Sequence, residues 1–169
     1  QLVNNNYNIQ VFPSSTFLNP PFNTRIFRRA PHINVKTEGS SSFERDNKLT
    51  EMALDFLNQQ SVDKPYYSLL FYDLPHAISI PKEYNKKFQP AWNEADYLSL
   101  SNGTDREGFF NLYKNCVYHV DSLVGSVLDK MESKGMLENT FVVITGDHGQ
   151  EFNENKKNYW LHGSNYSKW

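Results

Sequence analysis

A short apolar run followed at once by a carboxylate and an imidazole constrains the fold more than any other stretch of the chain. Residues 141–144 read Phe-Val-Val-Ile, and Gly146, Asp147, His148 and Gly149 follow. A continuous β-branched run of this length is typical of a strand buried on both faces of a parallel sheet. Ligands of open α/β sheets bind at the carboxyl ends of the strands. We therefore expect Asp147 and His148 at a ligand-binding edge, although a solvated turn after a strand would carry the same letters.

A second apolar run delivers a histidine in the same way. Residues 66–72 are apolar and aromatic apart from one serine, which predicts another buried strand, and His76 follows it closely. Taken alone, His76 is more often a loop histidine than a catalytic one. Two such strands in one parallel sheet would place His76 and His148 at the same edge. His162 follows a polar spacer that is long enough to fold back over that edge.

Two helices are predicted from capping patterns and apolar spacing. Ser41 and Glu44 fit a capping box that starts an amphipathic helix running to about residue 60. Thr104 and Glu107 fit a second box, and the helix behind it ends before Gly135. The predicted solvated face of the first helix carries Arg45, Lys48, Glu51 and Asp55. The resulting order, with strands before and after each helix, predicts the α/β class with a parallel sheet.

The rest of the chain carries weaker signals. Tyr7, Ile9 and Val11 alternate with polar residues, which indicates a short strand, but residues up to 40 otherwise read as loop. We interpret residues 1–169 as one domain, with an irregular lead-in over 1–40 and the recognisable core over 41–169. Residues 77–103 form a long excursion. Its Phe88 and Trp92 line a substrate path or form a satellite apolar cluster, and we favour the cluster.

Composition excludes several classes of protein. The 169 residues carry a formal net charge of −2 with both signs interspersed, unlike the basic stripe of a nucleic-acid binder. The single cysteine, Cys116, excludes an internal disulfide and a cysteine-rich zinc site, and its place on an apolar helix face predicts a core residue. No apolar run approaches the roughly 18–20 residues that span a bilayer, so this segment is expected to be soluble.

Three strings together resemble the alkaline phosphatase/sulfatase superfamily. Residues 137–149 read Leu-x-Asn-Thr-x-Val-Val-Ile-Thr-x-Asp-His-Gly, residues 71–76 read Phe-Tyr-Asp-x-Pro-His, and residues 159–163 read Tyr-Trp-Leu-His-Gly. The last two are most similar to the membrane-anchored branch, which includes phosphoethanolamine transferases, lipoteichoic acid synthases and inner-membrane sulfatase-like proteins. The resemblance implies an alkaline phosphatase-like fold, a three-layer sandwich around a mostly parallel sheet. The chain would then be the central and C-terminal part of the catalytic domain.

The resemblance also implies roles for four side chains. Asp147 and His148 would be ligands of one divalent metal ion, while His76 and His162 would contact the oxygens and leaving group of the transferred phosphoryl or sulfuryl group. An Asp–His pair favours zinc or manganese over magnesium and calcium, which prefer all-oxygen shells. The resemblance implies a nucleophile in a region of the family's fold that precedes Gln1, so the fragment alone is expected to be inactive.

The function implied by the resemblance is hydrolysis or transfer of phosphate or sulfate esters, with envelope lipids or glycans as substrates. The parent protein would be anchored at the periplasmic face of the inner membrane and would not bind nucleic acid. An alternative is a catalytically inactive domain that kept this fold and binds lipid or a protein partner. An unrelated soluble α/β domain is the third interpretation.

Overall fold

The computed structural model describes residues 1–18, 21–30, 33–61 and 63–162. The strands are β1 (Asn8–Pro13), β2 (Tyr66–Phe71), β3 (Glu151–Phe152) and β4 (Trp160–Leu161). The helices are α1 (Phe22–Arg25), α2 (Ser42–Gln59), α3 (Leu74–Ala77) and α4 (Arg106–Ser133), and single 3-10 turns cover Val3–Asn5, Tyr97–Ser99 and Leu137–Asn139. A parallel sheet combined with helices confirms the predicted α/β class.

Strands β1 and β2 form a parallel pair, in register from Asn8 opposite Tyr66 to Pro13 opposite Phe71. Strand β1 confirms the strand predicted from alternation within residues 1–40. Strand β2 was expected to be buried on both faces, but its residues are only half-buried. Because the strands are parallel, their carboxyl ends lie at one edge, and α3 begins three residues after β2 ends.

The apolar run at residues 141–144 does not form the predicted buried strand. These residues have no strand assignment, and the side chains of Phe141 and Val143 are 101% and 82% exposed. A strand is stable only where a neighbour accepts its backbone hydrogen bonds, and no strand of the described residues pairs with this segment. The prediction of a buried strand at residues 141–144 is therefore wrong, because β-branched composition does not specify a pairing partner.

Both long helices begin near their predicted starts. The Ser41 hydroxyl accepts the backbone N–H of Glu44 at 3.2 Å, which confirms the first cap. The second cap is one residue later than predicted, since Asp105 accepts the N–H of Glu107 at 3.0 Å. The Thr104 hydroxyl instead donates to the carbonyl of Ser99 at 2.8 Å.

Helix α4 packs against two apolar cores. The first core joins its C-terminal half to α2 and β1 through Phe12, Leu49, Phe56, Val127 and Met131. The second joins its N-terminal half to α3 and β3 through Leu74, Ile78, Phe109, Leu112 and Phe152. Trp92 packs against this second core, with its ring centroid 5.2 Å from that of Phe109. Trp92 lies so close to Gly108 that a Cβ there would sit 2.4 Å from the indole, so the helix needs glycine at this contact.

No helix within the described ranges combines the length and the hydrophobicity that crossing a membrane requires.

Candidate metal site

Three histidines from separate parts of the chain converge at the edge where the parallel strands end. His76 lies on α3, His148 lies in the exposed segment before β3, and His162 follows β4. Each offers a ring nitrogen, and these nitrogens all lie within 4.8 Å of one another. The ring centroids of His148 and His162 are 4.4 Å apart, and those of His76 and His162 are 4.9 Å apart. The convergence expected from two strand–histidine units is therefore observed, although only the unit with His76 follows a formed strand.

This donor set fits a transition-metal ion. Zinc–nitrogen bonds of about 2.0–2.1 Å place two ligand nitrogens of a tetrahedral site roughly 3.4 Å apart, so nitrogens that lie within 4.8 Å of one another need to approach by at most about 1.4 Å. The Nδ1 of His148 lies 2.9 Å from the carbonyl oxygen of Gly149. Because a carbonyl only accepts, this contact favours the tautomer with the proton on Nδ1, which leaves Nε2 as the atom that can bind an ion.

His162 is biased towards the neutral form that binds metals. Although His162 is exposed, slight desolvation of its ring lowers its pKa, and the neighbouring imidazoles of His148 and His76 lower that pKa further, against a smaller opposing effect of Asp147. Its Nδ1 lies 3.4 Å from the side-chain oxygen of Gln150. The glycine that follows His162 in the sequence motif lies outside the described residues.

Asp147 lies beside the cluster. One of its carboxylate oxygens is 3.7 Å from Nε2 of His148, and its side chain is 77% exposed. Among the described residues, the group that could hold an ion consists of the three histidines. Asp147 can therefore neutralise an imidazolium or turn towards an ion bound at His148.

The turn that carries His76 is held from α2. The carboxylate of Asp46, which is fully buried, accepts the backbone N–H of Asp73 at 3.1 Å and that of Leu74 at 2.9 Å. Burial raises the pKa of Asp46, while the nearby Ser14 hydroxyl and then the two backbone hydrogen bonds oppose that effect. These contacts satisfy the start of α3, whose N-cap residue makes no side-chain cap of its own.

The Asp73 carboxylate is held by the same helix. It accepts the hydroxyl of Ser42 at 2.7 Å and pairs with the Arg45 guanidinium at 3.4 Å, while its other oxygen lies 3.8 Å from Nδ1 of His76. Arg45 was predicted to lie on the solvated face of α2, and that prediction is wrong because its side chain is only 20% exposed and contacts this turn. Asp46 was not identified as a functional residue from the sequence. The available signal was its position three residues before Leu49, on the apolar face of the predicted helix.

Two other reactive side chains lie apart from the cluster. Cys116 is a buried residue of the second core, as predicted, and burial raises the pKa of its thiol to about 12. His119 lies on α4, where its Nε2 is 3.1 Å from the side-chain amide of Asn47 and its ring packs against Phe43 and Tyr84. Burial lowers the pKa of His119.

Comparison with known proteins gives one family. The model of the family described as Sulfatase matches residues 3–169. The chain is 26% identical to a protein of Escherichia coli strain K12 named as an uncharacterised sulfatase, over 68% of this chain and 27% of that protein. It is 25% identical to an uncharacterised protein of Haemophilus influenzae, over 88% of this chain and 19% of that protein. The chain thus spans less than a third of either relative. No solved structure gives a significant match.

Proposed function

The chain belongs to the sulfatase family, and on that premise we propose that the protein hydrolyses or transfers sulfate or phosphate esters with the help of a divalent metal ion. The convergence of His76, His148 and His162 in a chain of this family supports the proposal most directly. Reactions of these esters build up negative charge on the oxygens around phosphorus or sulfur. Cations and N–H donors aimed at those oxygens stabilise that charge.

We assign Asp147 and His148 to the metal, and His76 and His162 to the ester. A metal bound here would withdraw electron density from the ester and activate a hydroxyl nucleophile. The ring nitrogens of His76 and His162 lie within 4.8 Å of a ring nitrogen of His148, which supports a role in which each donates a hydrogen bond to an ester oxygen. In this proposal a protonated His162 gives its proton to the leaving group.

A second ligand set follows from the geometry, in which all three histidines bind one ion of the zinc class. The mutual approach of their nitrogens within 4.8 Å favours it. The two sets differ in what His76 and His162 do. If they bind the metal, replacing either lowers metal affinity, whereas if they contact the ester, replacement lowers turnover and leaves metal affinity unchanged.

The substrate belongs to the same proposal. We propose an anionic sulfate or phosphate ester carried on an envelope lipid or glycan, and a parent protein anchored at the periplasmic face of the inner membrane. The sequence similarity of residues 71–76 and 159–163 to the membrane-anchored branch supports this assignment. The exposed position of the cluster also suits a bulky substrate, since the side chain of His76 is 54% exposed.

Turnover and metal affinity of the full-length protein test the proposal. p-Nitrophenyl sulfate and p-nitrophenyl phosphate are assayed with zinc, manganese, magnesium and calcium, and zinc affinity is measured by calorimetry. We expect turnover with zinc or manganese, and a loss of zinc affinity in His148→Ala and Asp147→Ala. His119→Ala is the matched control, because this histidine lies outside the cluster.

Two results would count against the assignment. Unchanged zinc affinity in both His148→Ala and Asp147→Ala would remove the metal site. Full zinc binding without turnover, for every metal and for lipid-linked donors, would instead favour a catalytically inactive domain that binds anionic lipid.

A further inference from the structure

We propose that Asp46 is a positioning residue, which fixes His76 in the cluster by holding the backbone of the turn before it. The inference rests on the proposed function, because His76 has a role only if the histidine cluster is the reactive site. Asp46 is 0% exposed and lies one turn from Ser42 on the buried face of α2. Nothing in its surroundings suggests that it touches a substrate.

The hydrogen bonds of Asp46 explain how it acts. Each carboxylate oxygen accepts one backbone N–H, from Asp73 at 3.1 Å and from Leu74 at 2.9 Å. These are the first N–H groups of α3, and within this four-residue helix His76 is the third residue. Each of these charge-assisted hydrogen bonds is roughly twice as strong as a neutral one, so the carboxylate adds substantially to the turn's own hydrogen bonds.

A second set of contacts from α2 reaches the imidazole ring of His76 through the carboxylate of Asp73. Ser42 and Arg45 hold one oxygen of the Asp73 carboxylate, which leaves the other oxygen 3.8 Å from Nδ1 of His76. At this distance the carboxylate attracts a proton on Nδ1 of His76 without a direct hydrogen bond. Asp46 therefore sets the position of the turn that carries His76, and Asp73 adds a negative charge beside its ring.

Asp46→Asn tests the inference with little change in volume. The amide keeps one acceptor oxygen but places an NH₂ group against the other backbone N–H, so one of the two hydrogen bonds is lost and two donors face each other. Replacing a residue that orients a metal-binding histidine usually lowers metal affinity or activity by about 10- to 100-fold. We expect kcat/KM for p-nitrophenyl phosphate to fall by about that factor, through kcat rather than KM. Asp55→Asn, the same change at an exposed position of α2, should leave kcat/KM unchanged.

A double-mutant cycle with His76→Ala separates positioning from a general loss of structure. If Asp46 acts through His76, Asp46→Asn causes no further loss of kcat/KM in protein that already carries His76→Ala. Losses that multiply would overturn the inference, because Asp46 would then act on something other than His76.

Hydrogen exchange gives a readout that needs no turnover. We expect faster amide exchange at Asp73 and Leu74 in Asp46→Asn and no change there in Asp55→Asn. Unchanged exchange in Asp46→Asn would overturn the inference even in an active enzyme. Wild-type protein without turnover would count against the proposed function alone, since the exchange result would still decide what Asp46 holds.

Ser42→Ala provides a second variant in case Asp46→Asn fails to fold. It removes the hydroxyl that donates to Asp73 and leaves the bonds of Asp46 in place. We expect a smaller loss of kcat/KM than in Asp46→Asn, which again disappears when His76→Ala is already present. A loss of the same size with and without His76 would contradict the inference.

Discussion

Phe109 packs against the hairpin formed by the antiparallel strands β3 and β4, and His162 directly follows this hairpin. It is 0% exposed on α4, and its ring centroid lies 5.6 Å from that of Phe152 on β3 and 6.0 Å from that of Trp160 on β4. Trp92 covers its other side at 5.2 Å. Phe109→Ala should therefore leave a cavity that several large rings border and none can fill.

The size of the effect follows from the burial. Truncation of a fully buried phenylalanine costs about 3–5 kcal/mol, because the transfer free energy is lost and a cavity remains. That is a large part of the roughly 5–15 kcal/mol by which a domain is stable. With a urea m-value of about 2 kcal/mol/M, the midpoint of unfolding should fall by about 1.5–2.5 M.

Urea unfolding of wild type and variant, followed by circular dichroism and tryptophan fluorescence, measures the change. Leu98→Ala is the control, because that side chain is 99% exposed and its loss should change stability by no more than about 0.5 kcal/mol. Phe109→Ala should also weaken zinc binding if His162 is a ligand, because the hairpin that holds it loses its support. A shift no larger than that of Leu98→Ala would refute the packing argument.

Three further predictions concern polar and titratable groups. Asn115→Ala should destabilise the protein by about 1–3 kcal/mol, because the side chain bonds Phe88 N–H at 2.9 Å and the Asn85 side-chain oxygen at 2.6 Å in a buried setting; protease sensitivity near residue 88 would report it. Lys134→Met should lower the free energy of unfolding in urea by about 0.3–1 kcal/mol, because the ammonium of Lys134 donates to the last carbonyls of α2, including those of Asn58 and Gln60. The pKa of the Cys116 thiol and that of the Tyr72 hydroxyl are both raised to about 12. The folded protein therefore keeps these two protons at pH values where the unfolded chain has already lost them. Their contribution to stability should be intact below about pH 8.5 and lost as the pH rises towards 12, and a thiol reagent should label Cys116 only after unfolding.

The helices were predictable because their signals are local. Apolar spacing and a cap near Ser41 were enough to predict the start of α2, and Gly135, with φ +66, marks the end of α4 as expected. The cap of α4 was misplaced by one residue because the Thr104 hydroxyl has a competing partner in the loop before it. Such competition depends on where residues 99–101 fold, which spacing alone does not reveal.

The strands and the site depended on contacts between distant residues. β1 and β2 pair over a separation of 58 residues. The residue patterns predicted both strands, but not that these two strands pair with each other. Residues 141–144 have the composition of a strand and remain exposed, because pairing requires a neighbour that composition cannot specify. The convergence of His76 and His148 was expected from two strand–histidine units, of which only the one with His76 contains a formed strand, and His162 was expected from the length of its spacer. Asp46 was not, since only the folded turn shows which backbone groups its carboxylate reaches.

The three histidines differ in how firmly the fold holds them, and that difference has consequences for metal binding. His76 is held through Asp46 and Asp73 from a buried face of α2. His148 lies on an exposed segment, and among its described contacts are the neighbouring carbonyl of Gly149 and the carboxylate of Asp147. An ion that draws the three rings together must therefore order residues 146–150 around a fixed His76. That ordering uses part of the binding free energy. A partner strand that paired with residues 141–144 would order the segment beforehand, so it should raise metal affinity without contacting any metal ligand.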